Sequence, residues 1–115
     1  MQLPTNFEDL IEEVNGSKLY KRLVLQLNKD LLYANIDLGF DDEVLPTSLK
    51  LILQEEIYNL IQNKFSDYLN LLYIVDVSEA KVRNLESDDT AKLSEDITFL
   101  ILQREWQKVW YKANY

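Results

Sequence analysis

The side chains of this chain that can do chemistry are carboxylates, tyrosines and a short basic stripe. Its 115 residues include no Cys and no His. A thiolate nucleophile, a Ser-His-Asp triad and a zinc finger therefore have nothing to be built from. Di-iron bundles that use Glu-x-x-His are excluded for the same reason. Glu55-Glu56, among the tyrosines Tyr58, Tyr68 and Tyr73, could supply a carboxylate for acid–base work. Such work needs burial and a partner to move the pKa, and the sequence shows neither. The acidic stretch with Asp37, Asp41, Asp42 and Glu43 invites a calcium-loop reading. The Asp-x-Asp-x-Asp-Gly register is missing, and position twelve counted from Asn35 is Pro46, not Glu. No catalytic residue, metal site or cofactor is expected, and an enzyme is not the favoured reading.

Arg104, Lys108 and Lys112 are spaced four apart, so on a helix they form one stripe. Trp106, Trp110, Tyr111 and Tyr115 are interleaved with them. A basic stripe with aromatics can receive nucleic acid or an acidic partner. The favoured alternative is that the cations complement the dipole of a helix C-terminus and face Asp37, Asp41, Asp42 and Glu43. Trp106 and Trp110 lie one turn apart and share a face, which suits core or core rim. If exposed, they would anchor a protein interface, where Trp is enriched. Tyr111 and Tyr115 repeat that spacing at the end of the chain. Trp106, Trp110, Tyr111 and Tyr115 are therefore the candidate interaction surface, expected to meet a protein partner or a second copy in a homodimer.

Composition bounds the rest. The net charge is −8, from 20 acidic and 12 basic residues. That disfavours non-specific nucleic-acid binding and docking on anionic membranes. It leaves open an acidic mimic of nucleic acid as a third reading. With 47% hydrophobic residues the chain is too apolar for disorder, and only two Gly and two Pro argue against a β-sandwich. The apolar runs at 71–75 and 99–102 are too short to span a bilayer. No signal peptide is visible at Met1-Gln2-Leu3-Pro4-Thr5. The expected location is the cytoplasm, which lack of Cys also fits.

Apolar residues at steps of three and four predict helices throughout. The first is expected over 6–15, with Thr5 and Glu8 as a capping box and Gly16 as a left-handed stop. The second is expected over 18–35, capped by Ser17. Residues 36–46 are irregular but carry Ile36, Leu38, Phe40, Val44 and Leu45, so they should fold back over the core. The longest expected element is one helix over 48–75, capped by Thr47 or Ser48, with Ser66-Asp67 as the place where it could bend. A short helix over 79–85, a polar connector at 86–90 and a last helix over 91–112 complete the chain. With short loops, neighbouring helices should run antiparallel. The expected fold is a single all-α domain over 1–115, an antiparallel bundle of three long helices plus two short helices.

The segment Leu71-Leu72-Tyr73-Ile74-Val75-Asp76-Val77-Ser78-Glu79-Ala80-Lys81-Val82 resembles one shared by a group of small uncharacterised bacterial proteins. The helix carrying Ile101-Leu102-Gln103-Arg104-Glu105-Trp106-Gln107-Lys108-Val109 is similar to theirs as well. The resemblance covers the C-terminal half and implies a helical cytoplasmic domain. It brings no catalytic or binding residue. The leading expectation is a non-catalytic protein-interaction or regulatory helical module. A small-molecule-binding or catalytic bundle, with a closed pocket holding Glu55, Glu56 or a buried Tyr, is the alternative.

Overall fold

A computed structural model describes residues 1–85 and 88–115. Among the described residues all regular structure is helical: α1 (Phe7–Gly16), α2 (Tyr20–Tyr33), α3 (Pro46–Asn63), α4 (Phe65–Val75), α5 (Glu79–Arg83) and α6 (Thr90–Asn114). None of these helices is long and apolar enough to cross a membrane. The all-α expectation holds, but the inventory of three long and two short helices does not. The connector expected at 86–90 lies partly outside the described residues.

The predicted helix over 48–75 is two helices. Lys64 leaves the helical region (φ −145°, ψ 61°) and redirects the chain between α3 and α4. Its N–H still donates to Leu60 O at 2.8 Å, and its carbonyl accepts from Tyr68 N at 3.1 Å. The poor helix formers Ser66 and Asp67 sit just after the break, in the first turn of α4. Asp67 complements the positive end of the helix dipole there. The helical repeat concealed the break: Leu53, Ile57 and Leu60 and then Tyr68, Leu71 and Val75 are all buried. Phe65 and Leu69, which the same repeat places inside, are half exposed.

Helix starts follow capping chemistry, though not always at the expected residue. Asn6, not Thr5, caps α1, accepting from Asp9 N at 2.8 Å. α3 begins with Pro46 in its first turn, where the missing N–H costs nothing. Ser78 caps α5 and Asp89 caps α6. α2 has no side-chain cap, so Ser17 does not serve.

Three helices end in the same way. Lys18, Asn35 and Asp76 take left-handed φ values of 60°, 62° and 69°. The next N–H in each case reaches back five residues: Leu19 to Val14 O, Ile36 to Leu31 O and Val77 to Leu72 O, at 2.9–3.1 Å. This is the Schellman arrangement, and the residue after each left-handed position is apolar and turned toward the core. Gly16, expected to be the left-handed stop, is instead the last residue of α1.

Residues 36–45 form a strap along α2. Asn28 Nδ2 donates to Phe40 O at 2.8 Å, and Phe40 N donates to Asn28 Oδ1 at 3.0 Å. Further along, the Tyr20 hydroxyl donates to Val44 O. Ile36 and Phe40 are buried, as their apolar character requires.

α6 is the element that the others surround. It contacts α1, α2, α3 and α4. Its buried positions run from Ile97 through Ile101, Glu105, Val109 and Trp106 round to Gln103, about two thirds of its circumference. Ser94 Oγ and Thr98 Oγ1 satisfy themselves by donating to Thr90 O and Ser94 O, each at 2.7 Å. Gln103 Nε2 donates to Pro4 O at 2.7 Å and so ties the N-terminal segment to α6.

Replacing Asn28 with Ala strands the buried N–H and C=O of Phe40. The expected loss is about 1–3 kcal/mol of unfolding free energy in urea. Faster hydrogen exchange at the Phe40 amide should accompany it. An unchanged Phe40 exchange rate would show that the strap is held by something else.

Candidate functional site

Two features of α6 bear on function: a buried ionic cluster on its inner side and an aromatic cluster at its end. The first places charge where the apolar repeat calls for hydrophobic residues. Glu105 is fully buried and Asp30 is 6% exposed, on α6 and α2 respectively. Lys108, one turn beyond Glu105, puts its Nζ 2.7 Å from Asp30 Oδ2 and 3.3 Å from Glu105 Oε1. Gln26 Nε2 donates to Asp30 Oδ2 at 3.3 Å, and Lys112 Nζ donates to Gln26 Oε1 at 2.7 Å. The chain of contacts thus runs from the buried Glu105 to the exposed end of Lys112.

The protonation states follow from this geometry. Burial first, then the neighbouring Asp30 carboxylate, push Glu105 up to about 9, against a smaller opposing pull from Lys108. Burial would also raise Asp30, but bonds from Glu105, Lys108 and Gln26 and the charge of Lys108 outweigh it, so Asp30 is lowered. Neither Glu105 oxygen accepts a hydrogen bond from the described residues, so ionised it would lean on Lys108 alone. Protonated, it becomes the donor that Asp30 accepts from. Glu105, Asp30 and Lys108 together then carry one carboxylate and one ammonium and are neutral overall. That composition is a structural seam between α2 and α6.

The basic stripe is consumed by different partners from those expected. Arg104 Nη2 lies 3.0 Å from Asp76 Oδ2, and its Nε donates to Asp76 O at 3.1 Å. It therefore binds the left-handed end of α4 rather than the acidic strap. Lys108 belongs to the buried cluster and Lys112 to Gln26. Asp37, Asp41, Asp42 and Glu43 play no part in the stripe's pairing.

The four aromatic candidates separate. Trp106 is fully buried, and its indole N–H has no acceptor among the described residues. Trp110 is half-buried, whereas Tyr111 and Tyr115 are exposed, Tyr115 at 91%. These three rings form a cluster. Trp110 lies edge-on to Tyr111 at 5.2 Å between centroids, and Tyr111 stacks on Tyr115 at 5.6 Å. Trp110 and Tyr115 are 6.1 Å apart.

The catalytic alternative finds less. Glu55 is exposed and Glu56 partly so. Burial raises the phenols of Tyr20 and Tyr68, which moves them further from proton transfer near neutrality. The surface has open depressions, among them a groove of about 630 Å³ between α1 and α3 and one of about 290 Å³ between α2 and α6. Neither of these two is lined by Glu55, Glu56 or Tyr68. Among the described residues no group of three or more His, Cys, Asp or Glu side chains is placed to hold a metal ion.

The sequence does carry a trace of the buried cluster. Glu105 occupies the same face as Ile97, Ile101 and Val109, and Asp30 falls between Leu27 and Leu31. A carboxylate within an apolar stripe on each of two helices is the signal that charge-counting alone passes over.

The cluster makes stability depend on pH with a definite sign. Glu105 rises from 4.5 to about 9 on folding, so its stabilisation is complete below the ordinary carboxylate range and is lost as pH climbs toward about 9. Asp30 acts oppositely: its contribution is present above its ordinary value and is lost in acid. Glu105→Gln keeps a donor for Asp30 without a titrating proton. Its urea stability should therefore lack the decline over pH 4.5 to about 9; a profile parallel to wild type would count against the shared proton. Lys108→Met leaves Asp30 buried without its counter-charge, and should cost about 3 kcal/mol or more in the same measurement. A loss of only a few tenths would mean that water reaches the cluster.

No family model, curated protein or solved structure matches the chain.

Proposed function

We propose that the protein is a non-catalytic helical module that binds another protein through the end of α6. The observation that carries this reading is the exposed aromatic cluster of Trp110, Tyr111 and Tyr115. Tyrosine and tryptophan supply large contact area at low entropic cost, and they dominate interface energetics. The half-buried Trp110 gives the cluster a fixed base on the core, while Tyr115 leaves most of its ring in water. A protein partner suits the net charge of −8 better than a nucleic acid does. A second copy of the chain is the other partner this surface admits. A regulatory role in the cytoplasm belongs to the same reading, with the helices in the antiparallel bundle expected from the sequence.

The test compares wild type with Tyr111→Ser/Tyr115→Ser in capture from the native cell. A partner held by wild type should be lost about tenfold or more by the double variant, since each anchor is worth 1 kcal/mol or more. Helical circular dichroism should stay unchanged. A partner retained equally by both proteins overturns the assignment of this surface. Light scattering separates the homodimer: a monomer mass at every concentration removes it.

A further inference from the structure

An apolar concave surface lies away from the aromatic cluster and shares no residue with it. It is the groove of about 630 Å³ between α1 and the first turns of α3. Its floor and walls are Phe7, Ile11, Leu45, Pro46 and Leu51. Leu45 and Leu51 are 67% and 63% exposed, so the core leaves them uncovered. Glu8 and Glu12, one helical turn apart, stand on its α1 side. Lys50 also lines the groove, but its charge is engaged there: Nζ lies 5.0 Å over the Phe7 ring and 4.0 Å from Glu95 Oε2. The carboxylates of Glu8 and Glu12 have no ion-pair partner among the described residues.

We infer that this groove is a second docking site, and that it receives a basic amphipathic helix of a partner protein. Three observations select that occupant. The unpaired charges at the rim are both negative and spaced like successive turns of a helix, so they match cations four residues apart on a facing helix. The exposed leucines call for aliphatic anchors between those cations, which is how amphipathic helices seat in grooves. The net charge of −8 attracts a basic partner from a distance and repels an acidic one. No strand is present among the described residues, so an extended peptide has no sheet edge to join.

The inference goes beyond the aromatic surface and can fail independently of it. The test is an amide NMR titration of the full chain with a synthetic helix-forming Lys/Leu peptide. Two controls accompany it: one with Glu in place of Lys, and one with Ser in place of Leu. Shifts should concentrate in residues 7–15 and 45–51 for the Lys/Leu peptide alone. Glu12→Lys and Leu51→Ser should each weaken binding about tenfold, the loss of one charge pair or one anchor. Both positions are at the surface, and circular dichroism checks that both variants fold. Shifts that spread over other acidic surfaces overturn the inference. So does equal binding of either control peptide, or affinity unchanged in both variants. Concentration-dependent shifts at 7–15 and 45–51 without peptide would assign the groove to a second copy instead. Loss of tail-dependent capture with this titration intact would remove the aromatic surface and leave the groove.

Discussion

Covering α6 is the constraint on which the remaining structure depends. A helix buried over most of its circumference needs neighbours on several sides, and α1, α2, α3 and α4 supply them. Those neighbours, of 10 to 18 residues, are all shorter than α6 with its 25, in a molecule 36 Å in its greatest extent. The chain must therefore turn often. The break at Lys64, the strap held by Asn28 and the three left-handed helix ends are the means by which it turns. Each redirects the backbone while keeping its polar groups paired, which a buried bend requires.

The same constraint explains the polar residues on α6. A side chain on a surrounded helix has no water to turn to, so most of the polar groups on α6 bond locally or across the seam, the Trp106 indole N–H being an exception. Ser94 and Thr98 bond to their own helix. Gln103 takes the carbonyl of Pro4, and Glu105 takes a proton and faces Asp30. Breaking such a cluster is far more damaging than never having built it. Its effect is to set how α2 and α6 pair, because sliding either helix by a turn would separate Lys108 from Asp30.

The reading of the sequence succeeded where a local rule was enough. The extents of α2 and α6 and the inward fold of Ile36 and Phe40 follow from periodicity and side-chain chemistry. It failed where two local rules agree and a distant contact decides. An unbroken apolar repeat across Lys64 is compatible with one straight helix or two bent ones, and only the need to wrap α6 selects the second. Asn6 and Thr5 are both good caps. The cations of α6 had carboxylates available in the strap, at Asp76 and at Asp30, and sequence distance does not rank them. Of the candidate surface, the sequence marked the aromatic residues but could not show that Trp106 belongs to the core and Tyr115 to the solvent. One turn of helix is enough to separate those environments.

That separation gives the molecule two built-in optical probes. Trp106 and Trp110 are the only indoles in the chain, four residues apart. One is sealed in the core, and the other is at the rim among tyrosine rings. Global unfolding brings both into water, whereas a ligand at the end of α6 alters the surroundings of Trp110 alone. Emission that shifts without any change in accessibility of the inner indole to a soluble quencher therefore reports events at the tail. Emission that shifts with such a change reports loosening of the core.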